Sequence, residues 1–173
     1  MTLCNMNDLL LTAKKNSFAV GYFEAWDMYS LEAAAIAAEK ENAPIVLGFG
    51  GMTVNQNWLG NFGIEPLGKY AKKVAENLKV PASVYLNEVY DFNHVIKGIE
   101  SGFNAVLFNS SHLSLEKNIS VTKKVVEFAH KNKAHVQGEV GSLPEFESNE
   151  DTSLLTNPNI AKQFVDETKI DFL

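Results

Sequence analysis

Short apolar runs alternate along the chain with longer stretches in which apolar residues recur every three or four positions. The first such stretch, "MNDLLLTAKKNS", predicts a leading helix with Asn7 or Asp8 near its start and lysines toward its end. "FAVGYFEA" (18–25) follows as a strand, and "SLEAAAIAAEKEN" as a helix capped by Ser30. Pro44 stops that helix, and "IVLGF" (45–49) is a short, continuously apolar strand. Leu67, Tyr70, Ala71, Val74 and Leu78 then share one helical face. "ASVYL" (82–86) is a third strand, and Phe92, Val95, Ile96 and Ile99 mark a helix that Gly102 ends. "AVLF" (105–108) is the fourth strand, and Leu115, Ile119, Thr122, Val126 and Ala129 stripe the helix after it. "AHVQG" (134–138) is a weaker fifth strand. Asn157 and Pro158 supply an N-cap and a first-turn proline for "NIAKQFVDET", and "IDFL" begins a sixth strand.

Apolar strands alternating with amphipathic helices imply a parallel sheet covered by helices, an α/β fold. Two architectures fit, an open doubly wound sheet and a TIM (β/α)8 barrel. A complete barrel takes about 250 residues, and this chain has 173. Five strands and the start of a sixth therefore predict an incomplete barrel: one domain over 1–173, its C-terminal strands missing and the chain part of a longer one.

Composition narrows the function. With 46% hydrophobic residues the chain builds a real core. A charge of −6 and a pI near 5.2 argue against nucleic acid or an anionic membrane as partner. The single cysteine, Cys4, excludes a disulfide framework and a Cys-rich zinc site. No N-terminal run is long enough for a signal peptide or membrane span, so a soluble cytoplasmic protein is expected.

In such folds chemistry gathers at the C-terminal ends of strands. There the chain places Glu24 with Trp26 and Asp27, "GFGGMTVNQN", Asn87 with Glu88, "NSSH" (109–112), and Glu139. A lone Glu at a strand end is commonly solvated or caps a helix. Glu24, Glu88 and Glu139 at one rim instead suit cation binding or proton transfer. His112 is a weak metal or base candidate by itself. His94 and His130 fall in helices and are expected at the surface, and His135 is expected to be structural. Trp26 and Trp58 are expected to fill the gap between loop and barrel more than to stack on a sugar. The glycines of "GFGGMT" do not make a dinucleotide fingerprint, because Thr53 holds the third position and "VNQNWLGN" begins no convincing helix. They are expected to let backbone approach the mouth. The long acidic segment 142–156 reads as a solvated loop or as a lid over the mouth.

Four stretches in order, "FAVGYFEAWDMYSLEAAAIAAEKENAPIVL", "GFNAVLFNSSHLSLEKNISVTKKVVEFAH", "GEVG" and "FVDETKIDFL", resemble class II, metal-dependent ketose-bisphosphate aldolases. The resemblance spans essentially the whole chain. It implies a TIM barrel that cleaves or joins a carbon–carbon bond of a ketose (bis)phosphate, with a divalent metal, usually zinc, as cofactor. It also implies a homo-oligomer. At the third strand the family's His-Leu-Asp-His-Gly is replaced by Tyr85-Leu86-Asn87-Glu88-Val89. Asn87 thus takes the catalytic position, though an amide cannot move a proton as Asp does. Glu88 and Glu139 take metal positions, and Glu24, where the family has Asn, joins Ser111 and His112 at the substrate. Asn109 replaces the Asp of the family's DGSH. The resemblance implies a lyase with an altered rim or, alternatively, an inactive scaffold that binds a sugar phosphate or a protein partner.

Overall fold

A computed structural model describes residues 2–50, 56–141 and 155–173. Its strands are β1 (Gly21–Ala25), β2 (Ile45–Gly50), β3 (Ala82–Val89), β4 (Ala105–Phe108) and β5 (His135–Gln137). They form one sheet in the order β1-β2-β3-β4-β5, with every neighbouring pair parallel. Sequential order without reversal is the wall of a (β/α)8 barrel, since a doubly wound sheet changes direction at a switch point. A bridge from Gln137 to Phe172 starts the sixth strand. The barrel is incomplete in this chain, and β1 is an edge of the sheet.

Helices α1 (Met6–Asn16), α2 (Met28–Lys40), α3 (Gln56–Trp58), α4 (Ile64–Asn77), α5 (Phe92–Ser101), α6 (Leu115–Lys131) and α7 (Pro158–Thr168) surround the sheet. The continuous apolar runs of the strands conceal a two-residue alternation. Leu47, Phe49, Val84, Leu86, Val106 and Val136 face outward into the main core beneath the helices. Val46, Tyr85, Ala105 and Leu107 face inward, where Met6 and Leu9 of α1 close one end of the lumen. Burying both sheet faces explains why these strands read as unbroken hydrophobic segments.

Several boundaries differ from the sequence expectation. Helix α2 begins at Met28 with Asp27 as its cap. Ser30 is the third helical residue and completes a capping box, its Oγ accepting from the Asp27 backbone N–H at 3.0 Å. Helix α1 is capped by Asn5, whose side chain accepts from the N–H groups of Asn7 and Asp8. "QNWLGN" is helical after all: α3 runs through a π turn (Leu59–Gly63) into α4, because Leu59 and Ile64 are buried there. Gly102 ends α5 at φ +121°, and Asn157 and Pro158 open α7, both as expected.

Candidate active site

Strand β3 does not stop at Leu86 but continues to Val89 through an irregularity. Leu86 pairs with Val106 and Val89 with Phe108, so Asn87 and Glu88 together face Leu107 of β4. This is a β-bulge, and Glu88 takes its left-handed conformation at φ +53°. The extra residue lets consecutive side chains, Asn87 and Glu88, border one cavity, while Val89 returns to the outer core. The strand-to-polar switch in the sequence is therefore inside a strand.

That cavity, about 490 Å³, is bordered also by Gln137, Gly138, Glu139 and Thr156. Toward β1, Asn87 Nδ2 donates to Glu24 Oε2 at 2.8 Å, and the Tyr22 hydroxyl donates to the same oxygen at 2.9 Å. The link from β1 to β3 crosses β2 at Gly50, where a Cβ would lie 2.0 Å from Glu24 Oε1. Gly48, one inward position earlier, would drive a Cβ into the Tyr85 carbonyl oxygen. Gly50 thus keeps space for the Glu24 side chain, and Gly48 lets the Tyr85 backbone of β3 approach β2. Below the pair, Tyr85 donates to Gln137 Oε1 at 2.8 Å and meets the Tyr22 ring edge-on at 5.0 Å. Burial, with Glu24 beside Tyr22 and with Glu88 and Glu139 near Tyr85, pushes both phenols far up, so they remain donors.

The carboxylates of the mouth are under the same pressure as the phenols. Burial raises the Glu88 carboxyl above its ordinary value, and Glu24 and Glu139 raise it further. Burial alone raises Glu139, whose Oε2 is buried without a hydrogen-bond partner among the described residues. Glu139 is held from behind: Asn118 of α6 donates to its carbonyl oxygen at 2.9 Å. The Asn118 carbonyl in turn accepts from Ser110 at 2.6 Å and Thr122 at 3.1 Å, all three residues being buried.

Glu24, Asn87, Glu88 and Glu139 thus converge, whereas Ser111 and His112 do not border this cavity. Ser111 donates to Asn109 Oδ1 through both its N–H and its hydroxyl, a local turn. His112 is exposed, its ring 6.4 Å from Tyr90. Trp26 and Trp58 are exposed rather than filling a gap, Trp26 at 72%. His94 is half-buried rather than at the surface, because α5 packs its ring against Gly60. His130 is exposed as expected. His135 lies at the far end of the lumen, bonded through Nδ1 to Asp171 at 2.8 Å. Gly51 and Thr53, and 142–154 of the acidic segment, lie outside the described residues.

The sequence reading missed Tyr22, Tyr85, Gln137 and the Ser110–Asn118–Thr122 cluster. The available signals were spacing: Tyr22 and Glu24, and Tyr85 and Asn87, are each two apart on one sheet face. Asn118 and Thr122 are one turn apart on an otherwise apolar helix face.

Zinc sites are built largely from imidazole and thiolate donors. The cavity offers carboxylates and no imidazole, and among the described residues no three His, Cys, Asp or Glu are grouped to hold an ion. The described residues do not by themselves fit the metal that the resemblance implies.

Comparison with known proteins bears on the fold and the family of the chain. The class II fructose-bisphosphate aldolase family model matches residues 4–173. The fructose-bisphosphate aldolase of Staphylococcus aureus strain Mu50 is 29% identical over 177 residues, covering 100% of this chain and 60% of that protein. The Helicobacter pylori fructose-bisphosphate aldolase is 30% identical over 172 residues, covering 96% and 54%. In fold, the YdjI aldolase of Escherichia coli K12 superposes with a TM-score of 0.80 at 24% identity, over 98% of this chain and 62% of that one. The chain spans 60% or less of the length of these two sequence relatives, and over that span it belongs to the class II fructose-bisphosphate aldolase family.

Proposed function

We propose that this chain carries the rim of a carbon–carbon lyase site of the class II aldolase type, acting on a ketose bisphosphate within one barrel domain. The observation that carries this reading is the meeting of Glu24 and Asn87 at 2.8 Å, beside Glu88 and Glu139, in a chain of that family. Retro-aldol cleavage needs a group that takes the hydroxyl proton at the breaking bond and one that returns a proton to the enediolate fragment. Burial moves Glu88 and Glu139 toward the range in which a carboxyl gives and takes protons near neutral pH. Asn87 orients the substrate, since its amide has no proton-transfer chemistry. Any divalent ion, zinc by the family's usual choice, needs donors beyond these residues. The same family reading makes the protein cytoplasmic and self-associating, with a sugar phosphate as small-molecule partner.

The test is incubation of the protein with fructose 1,6-bisphosphate and related ketose phosphates, with zinc, cobalt, manganese or no metal, and detection of triose products. Cleavage is expected, and absence of turnover under every condition refutes the lyase reading. Asn87 in place of the family's Asp favours a second reading, an inactive scaffold that keeps the binding site. In that case native turnover is nil, and Asn87→Asp with Glu88→His is the variant expected to gain it. Native turnover disposes of the scaffold.

A further inference from the structure

We propose that Tyr22 and Glu24 are positioning residues that lock the Asn87 amide with its carbonyl oxygen toward the cavity, so that position 87 accepts a hydrogen bond from a ligand hydroxyl. The role toward a ligand rests on the ketose-bisphosphate reading above; the locked amide does not.

The orientation follows from donor inventory. An ionised carboxylate only accepts, so the end of the amide that meets Glu24 Oε2 at 2.8 Å is the NH2 end. The Tyr22 hydroxyl, 2.9 Å from the same oxygen, adds a second donor and fixes the carboxylate's rotation. The planar amide then aims Oδ1 away from β1. Asn87 borders the cavity, its Oδ1 receives no donor among the described residues, and it is not among the buried polar atoms lacking a partner. It is therefore an acceptor that a ligand can reach. Gly50 makes the lock possible, because any side chain there would displace the Glu24 carboxylate.

The arrangement also selects which part of a ligand lies here. A phosphate dianion has no proton to offer Oδ1 and would face Glu24, Glu88 and Glu139. A neutral hydroxyl has the proton and meets no such repulsion. Position 87 thus takes the hydroxylated, uncharged stretch of a ketose bisphosphate, and its phosphates bind elsewhere.

The test uses the full chain in four forms: native, Glu24→Gln, Asn87→Asp, and both substitutions together. Asn87→Asp places two carboxylates against each other and is expected to lower the melting temperature. Adding Glu24→Gln is expected to restore most of that loss, because donor and acceptor then exchange places. The Asn87 side-chain NH2 resonances should move in Glu24→Gln, and Tyr22→Phe should move them less. Calorimetric titration with fructose 1,6-bisphosphate should show affinity falling about tenfold in Glu24→Gln, the loss of one well-aligned hydrogen bond. An Asn87→Asp chain as stable as native, or no recovery in the double variant, overturns the lock. Recovery with unchanged ligand affinity in Glu24→Gln overturns the acceptor role. If the native chain does not bind the bisphosphate while recovery holds, the failure lies in the ligand reading and the locked amide stands.

Discussion

At the far end of the lumen, Asp171 sits among three donors: His130 Nε2, His135 Nδ1 and the Val136 N–H, each at 2.8 Å. At the mouth, Glu88 and Glu139 crowd one cavity, and Glu139 Oε2 has no partner among the described residues. Burial pushes all three carboxyls up, but at Asp171 the hydrogen bonds outweigh it and hold the group below its ordinary range. Asp171 is thus fully bonded at the far end, while at the candidate mouth Glu139 keeps a buried oxygen with no partner among the described residues. That is the division between the two ends of a (β/α)8 barrel.

The largest effect that sharpens this contrast is expected at the satisfied end. Asp171→Ala should cost about 2–3 kcal/mol of unfolding free energy in urea titrations at neutral pH, because it strips three donors of their shared acceptor. The sign with pH follows from the lowered value. Asp171 contributes fully above the ordinary aspartate value of 3.8, and that contribution is lost as pH falls through its folded value. Asp171→Asn should therefore flatten the acid limb of a stability–pH curve, and an unchanged limb breaks the comparison from this side.

Next in size is the support behind the mouth. Asn118→Ala leaves the Ser110 and Thr122 hydroxyls and the Glu139 carbonyl without their shared amide. Thermal unfolding should show a loss of about 1–2 kcal/mol. Glu139→Gln should act in the opposite direction. A raised carboxyl stabilises the fold below its unfolded value, and that stability is lost as pH rises through the folded one. The neutral amide should thus raise the melting temperature at pH 8 and lose that advantage at pH 4, by less than about 1 kcal/mol given screening at an open cavity. Stabilisation with loss of turnover marks a functional carboxylate; destabilisation at pH 8 contradicts its being strained. Smallest of all, His112→Ala should leave stability within about 0.5 kcal/mol of native and turnover unchanged, because His112 does not border the cavity.

Much of the architecture was legible in the residue pattern. Strand order, the Gly102 stop and the Asn157–Pro158 start follow from period and capping chemistry. The α2 boundary was not, because both Asp27 and Ser30 suit an N-cap and only the folded chain shows them sharing a capping box. The bulge was hidden for a different reason. Asn87 and Glu88 read as an exit from the core, and no glycine marks the left-handed residue. Tyr22, Tyr85 and Gln137 resemble ordinary strand residues until the lumen brings them together. The glycines of β2 were legible as a close approach but not as the gap that Glu24 crosses.

A second concavity, about 390 Å³ between α4 and α5, is bordered by Leu59, Phe62, Lys97 and Glu100. There Lys97 donates to the Gly60 carbonyl at 2.6 Å, and the carboxylates Glu65 and Glu100 are accompanied by the cations Lys69 and Lys97. It offers the sharpest alternative to the mouth. Amide chemical-shift mapping of the chain with fructose 1,6-bisphosphate decides between them. The largest shifts are expected at Gly50, Asn87, Gln137 and Glu139; shifts confined to Gly60 and Lys97, or none at saturating ligand, contradict a ligand site at the mouth.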